Sequence, residues 1–359
     1  MAKKHALLSS AAFSSLAVAF ALCTAGSAMA ADCAPPKLLN SLPMEKLADS
    51  DAMTVTAIIE GSPQKLLVAT GAIPTQMWNS DAVKLGLPVR EGARYLDSGG
   101  RYSQDVARVA KFALGSMNTG GFPIYVTPDP DSARTGSGGV LGTDMMQRYD
   151  IDLDFARQTL NYFSPEQCKG AGIYWAPAKI TSVAMTAYTG LVFVPVTLDG
   201  HAITALLDTG ADRTFLNPQI AEKLFGLSAG SQEPGTVSDG GALIKAGLHE
   251  FSSLSFGGLN FDHPQIAVPF DILTQNTREF HASKTARDQF YLHETLPEMV
   301  IGMDVLKKSH LYISFRDQMV YVSAAGDGTA LKPAPIEPSW LTVWRSGYAR
   351  YPVYPFVDL

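Results

Sequence analysis

Cysteine is scarce, with three in 359 residues, which excludes a small scaffold stapled by disulfides. Basic charge is short as well. The 28 Lys and Arg against 34 Asp and Glu leave a net charge of −6, whereas a nucleic-acid binder needs a basic surface to neutralise phosphates. Only 17% of residues are charged and 46% are apolar, so the chain is not an intrinsically disordered one. Its 31 glycines do not recur every third residue, which excludes a collagen. Beyond the first thirty residues no stretch is long and apolar enough to span a bilayer. What remains is a folded chain with length for about two domains of roughly 150 residues each.

The start of the chain has its own pattern. Lys3, Lys4 and His5 precede an uncharged apolar stretch over 7–22, and Ala28-Met29-Ala30 offers the small-x-small site that a signal peptidase cuts after. We read 1–30 as a signal peptide, with an uncleaved anchor as the alternative, and expect an exported protein, periplasmic or secreted. A lipoprotein is disfavoured because Leu22 precedes Cys23 and Asp32 precedes Cys33. With Cys23 removed, Cys33 and Cys168 remain and are a candidate disulfide in an oxidising compartment. Such a bridge is worth roughly 4–5 kcal/mol on the chain-entropy account. The alternative is two unpaired thiols, and neither cysteine has the surroundings of a nucleophile.

The rest of the chain repeats itself. Leu66-Leu67-Val68-Ala69-Thr70-Gly71-Ala72 is matched by Ala205-Leu206-Leu207-Asp208-Thr209-Gly210-Ala211. Val140-Leu141-Gly142-Thr143-Asp144 is matched by Val300-Ile301-Gly302-Met303-Asp304, and in each copy two short β-rich runs come next. Landmarks in the same order define two related units, with extra residues of the second falling in 271–298. We expect units at 50–165 and 185–325 and a separate tail at 326–359.

Both units read as all-β. Runs over 192–198 and 203–207 are joined by a turn at Asp199-Gly200, and 53–59 and 66–68 by a turn at Gly61-Ser62-Pro63. Short helices are expected at 79–85 and 217–225, the latter opening with Asn217-Pro218 as cap and first turn. Each unit also has a Gly-Gly tip, Gly99-Gly100 and Gly240-Gly241, between candidate strands. These read as hairpins that could fold over a site, or as ordinary surface hairpins.

The string 206–212, Leu-Leu-Asp-Thr-Gly-Ala-Asp, completed by Val300-Ile301-Gly302, resembles the retropepsin-like aspartic peptidases, single-lobe relatives of the pepsins. Because both units carry it, the resemblance covers about residues 53–323. It implies a mainly β fold of two tandem acid-protease lobes in one chain, acting on an extended peptide or protein substrate without metal or organic cofactor. It also implies that Asp208 is catalytic, that Thr70, Gly71, Thr209, Gly210 and Ala211 build the active-site loops, and that Thr209 bonds to its opposite number. Asp212 would contact the substrate backbone, with Gly99, Gly100, Gly240 and Gly241 over the peptide. Lobes paired within one chain imply a monomer.

The chemistry needs two carboxylates sharing one water and one proton, split in their pKa values by mutual repulsion. One then acts as base while the protonated one polarises the peptide carbonyl. In the first copy Ala69 stands where the second has Asp208. Three readings stay open: an active endopeptidase using Asp208 with another partner or a second chain, a pseudoprotease that binds peptides without cutting, and a structural duplication.

Other groups read as structural. Asp144 and Asp304 fit a turn entering a helix, and His281 and His293 are too far apart for a compact metal motif. Asp150, Asp152 and Asp154 alternate along one strand face but lack the glycine-turn loop of a calcium site. The tail holds Trp340, Trp344, Tyr348, Tyr351, Tyr354 and Phe356 among prolines, and is expected to dock on the lobes, the cleft or a partner.

Overall fold

The computed structural model describes residues 37–48, 50–96, 102–130, 136–166, 174, 180–228, 234–239, 242–270 and 297–327. The signal-peptide segment, Cys33, Cys168, the Gly-Gly tips, His281, His293 and the tail beyond 327 lie outside the described residues.

The alternating runs found in the sequence form three sheets. The first ten-stranded sheet begins with strands Val89–Leu96, Tyr102–Val109, Phe122–Thr127, Gln76–Trp78 and Gly139–Leu141. It continues through Ser62–Val68, Met53–Ile59, Phe112–Leu114 and Met117–Thr119, with Glu45–Lys46 alongside Met53–Ile59. The second repeats this order strand for strand, from Pro234–Asp239 and Ala242–Glu250 through Gln265–Pro269, Phe215–Leu216, Met299–Ile301, His201–Leu207 and Leu191–Leu198 to Ser253–Phe256 and Leu259–Asp262. The chain is therefore a mainly β protein of two tandem lobes of one topology.

The third sheet is shared. Asp150–Asp154 of the first copy pairs antiparallel with Ser309–Ser314 of the second, Asp152 opposite Tyr312. Leu38–Pro43 and Thr181–Ala184 close its two edges. Ile151 and Leu153 join Leu311 and Ile313 in a buried cluster that also takes Val55 and Leu66 from one lobe and Ile203 and Leu207 from the other. One apolar core thus runs through both lobes, and burying it holds the repeat together.

Local chemistry explains the ends of these elements. Asp199 and Gly200 both have positive φ, 44° and 81°, the two-residue turn whose twist suits a hairpin. In the first copy the matching turn falls at Glu60 and Gly61, φ 50° and 84°, one step earlier than the Gly61-Ser62-Pro63 turn expected. Ser62 and Pro63 instead pair with Ile59 and Ile58. Helix Pro218–Phe225 is capped by the Asn217 side chain, which accepts from Gln219 N at 2.9 Å, and ends at left-handed Gly226.

Candidate active site

In each lobe a strand is inserted between two that are consecutive in sequence. Gly139–Leu141 lies parallel to Ser62–Val68 and antiparallel to Gln76–Trp78. Met299–Ile301 lies likewise between His201–Leu207 and Phe215–Leu216. Loops 69–75 and 208–214 must therefore arch over the ends of the inserted strands. The arches press on the residues just past those strand ends, which is why Gly142 and Gly302 carry no side chain. A β-carbon on Gly142 would fall 2.6 Å from Pro74 C, and one on Gly302 2.3 Å from Arg213 O.

The two arches are built alike. Ala69 N donates to Leu141 O at 3.1 Å and Asp208 N to Ile301 O at 3.0 Å. Thr143 N reaches Ala72 O at 2.8 Å, as Met303 N reaches Ala211 O at 2.8 Å. Gly142 N donates to Thr75 Oγ1, which donates to Asp144 Oδ1 at 2.6 Å. In the second lobe Gly302 N donates to Thr214 Oγ1, which donates to Asp304 Oδ1 at 2.7 Å. Asp144 and Asp304 thus brace the arches. Burial pushes the Asp144 carboxyl up to about 6, against the opposing pull of its bonds from Thr75, and burial raises Asp304 as well.

At the centre the arches meet. Thr70 N donates to Thr209 Oγ1 at 3.2 Å and Thr209 N to Thr70 Oγ1 at 3.1 Å. Each hydroxyl passes its own proton across the boundary, Thr70 to Leu207 O at 2.7 Å and Thr209 to Val68 O at 2.6 Å. This fixes position 69 opposite position 208. Asp208 Oδ1 accepts from Gly210 N at 2.7 Å and from Gly71 N of the other lobe at 3.0 Å. A β-carbon on Gly71 would lie 2.2 Å from Asp208 Cγ, and one on Gly210 2.8 Å from Ala69 Cβ. Where the second lobe brings a carboxylate to Gly71, the first brings a methyl group to Gly210.

Ala211 is buried under this loop, packed with Phe215, Ala246 and Ala267. Asp212, expected from the resemblance to meet a substrate backbone, accepts a bond from Ser50 Oγ of the first lobe. Val89–Leu96 pairs antiparallel with Tyr102–Val109, and Pro234–Asp239 with Ala242–Glu250, while Gly99, Gly100, Gly240 and Gly241 themselves lie outside the described residues. Neither Ser50 nor His310, which packs against Asp152, stood out in the sequence. No helix among the described residues is long and apolar enough to cross a membrane.

A profile of the aspartyl protease family matches residues 55–145 and 194–305, one stretch in each lobe and more than half of the chain. The chain belongs to that family. A search of curated proteins finds no match. Among solved structures the crystal structure of aspartic proteinase from Irpex lacteus is similar, at 13% identity and a TM-score of 0.45, covering 81% of this chain and 98% of that one.

Proposed function

We propose that the chain takes an extended peptide between its lobes as an aspartyl protease homologue with one cleft carboxylate, Asp208, and therefore binds peptides far better than it cuts them. The observation that carries this reading is Ala69 opposite Asp208, held there by the Thr70–Thr209 bonds. Loss of one acid–base partner costs on the order of a hundred- to ten-thousand-fold in rate. Drawing the missing carboxylate from the second lobe of another chain would require breaking all four threonine bonds, so a monomer with lobes paired internally is the form we propose.

A second reading, a slow aspartic endopeptidase, is favoured by the surviving cradle. Gly71 N and Gly210 N hold Asp208 as a pair of donors suited to a carboxylate, and a water on that carboxylate is the nucleophile. We also propose export after cleavage near Ala30, which N-terminal sequencing of the mature protein checks.

The deciding experiment exposes a synthetic peptide pool to the purified protein from acidic to neutral pH, read by mass spectrometry beside Asp208→Asn and Ala69→Asp. Silence from the wild type, with cleavage gained in Ala69→Asp, establishes the binding reading. Wild-type cleavage that disappears in Asp208→Asn establishes the endopeptidase.

A further inference from the structure

The turn that precedes strand Met53–Ile59 leaves the first lobe and reaches the second. It is closed by Leu47 N to Ala52 O at 2.9 Å, Ser50 N to Leu47 O at 3.3 Å, and Ala52 N to Ser50 Oγ at 3.0 Å. Ala52 is fully buried against Ala69 and Ala72, so the turn is seated on the arch that lacks its carboxylate. The Ser50 hydroxyl, already accepting from Ala52, gives its one proton to Asp212 Oδ1, because a carboxylate can only accept. Next to it Asp51 bridges Lys46 of its own lobe at 2.7 Å and Lys307 of the other. Partial burial pushes the Asp51 carboxyl up, but the two lysines outweigh it and hold it below the usual carboxylate range.

The other side of the molecule has a neutral counterpart. There Thr143 Oγ1 donates to Thr189 O at 3.3 Å, and a β-carbon on Gly190 would fall 2.6 Å from that hydroxyl. Ile73 occupies the first-lobe position that Asp212 holds in the second. The first lobe has therefore lost both carboxylates of its arch, and the one remaining beyond Asp208 is already engaged.

We infer that Ser50 is a positioning residue: it claims the Asp212 carboxylate, latches the lobes together beside the cleft, and must be displaced before a peptide N–H can bond there. The displacement half of this inference rests on the peptide-binding reading, and the latch itself does not. A charge-assisted hydrogen bond is strong enough for its release to be felt in affinity.

The test uses the full chain with Ser50→Ala, Asp212→Asn, the double variant and Ser50→Thr. Backbone amide exchange of residues 66–72 and 205–211 reports the latch, and retention of a random octapeptide pool on immobilised protein reports the cleft. Ser50→Ala is expected to speed exchange several-fold yet raise peptide retention by up to about tenfold. A purely structural serine would lower retention. Asp212→Asn speeds exchange and lowers retention, the double variant exchanges no faster than either single one, and Ser50→Thr behaves as wild type. Additive exchange effects, or wild-type retention that Ser50→Ala leaves equal or reduced, overturn the inference. If no form retains peptide, the peptide-binding reading falls, and coupling in exchange alone decides the latch.

Discussion

Thr70 and Thr209 hold each other across the boundary between the lobes, each hydroxyl accepting the other threonine's backbone N–H and donating to the carbonyl two residues before that other threonine, at 2.6–3.2 Å. Both are almost wholly buried, at 3% and 2% exposure, so no water replaces a lost partner. The residues immediately before them, Ala69 and Asp208, face each other for this reason. The asymmetry of the site is thus a substitution within a symmetric frame.

Removing either hydroxyl strands one N–H and one carbonyl in that interior. Thr70→Val is expected to cost about 2–4 kcal/mol in chemical denaturation, and Thr209→Val about the same. Because the bonds form one ring, the double variant should lose clearly less than the sum. Strict additivity would show that the two sides do not act together.

The opposed glycines predict an asymmetry of function. A methyl on Gly71 collides with the whole Asp208 carboxylate, its carbon 2.2 Å away, whereas a methyl on Gly210 meets Ala69 Cβ at 2.8 Å and a single carboxylate oxygen, Asp208 Oδ1, at 2.9 Å. Both substitutions overpack the centre, at typically about 1–3 kcal/mol. Gly71→Ala should in addition abolish whatever peptide retention or cleavage depends on Asp208. Gly210→Ala should regain part of its lost stability when combined with Ala69→Gly, the contact with Asp208 Oδ1 remaining, and a double variant no more stable than the single one would contradict the placement.

Much of this frame was legible in the sequence. Two copies of the apolar-x-Thr-Gly-Ala string, each completed by an apolar-Gly element, fix which strand delivers each loop, because only that order leaves a glycine where the chain crosses itself. The missing carboxylate was legible too, as Ala69. Ser50 was not, since its partner is 162 positions away and one serine before a strand carries no local signal. His310 was hidden for the same reason. Leu38–Pro43 and Thr181–Ala184 lie outside the repeated landmarks, so their places at the edges of the shared sheet come from tertiary pairing alone. The first hairpin turn moved to Glu60-Gly61 because twist favours two consecutive positive φ values over a turn centred on proline.

Asp144 gives the stability of the fold a defined pH dependence. Burial raises its pKa to about 6 from an ordinary 3.8, so the folded chain keeps a proton that the unfolded chain has released. Between these values the folded state binds more protons, and stability falls as pH rises. The contribution is fully present below 3.8 and lost as pH passes about 6, about 3 kcal/mol at most. Asp144→Asn should flatten this stretch of a melting-temperature profile against pH relative to wild type. An unchanged slope from pH 4 to 6 would assign it to other groups.

His310 and Asp152 supply another tie between the copies, within the shared sheet and fully buried, with Nε2 2.7 Å from Oδ1. The other carboxylate oxygen of Asp152 accepts from Asn161 Nδ2 at 2.7 Å and from the Tyr174 hydroxyl at 3.0 Å, and burial pushes that hydroxyl's pKa up. His310→Leu removes one partner from a carboxylate that cannot reach water, and is expected to cost about 3–5 kcal/mol in denaturation. Replacing both together, as His310→Leu with Asp152→Leu, removes the buried charge along with its partner and should recover a large part of that loss. Failure of the double variant to recover would mean that the bonds from Asn161 and Tyr174, more than the histidine, keep Asp152 in place, since both donors lose the carboxylate oxygen they share.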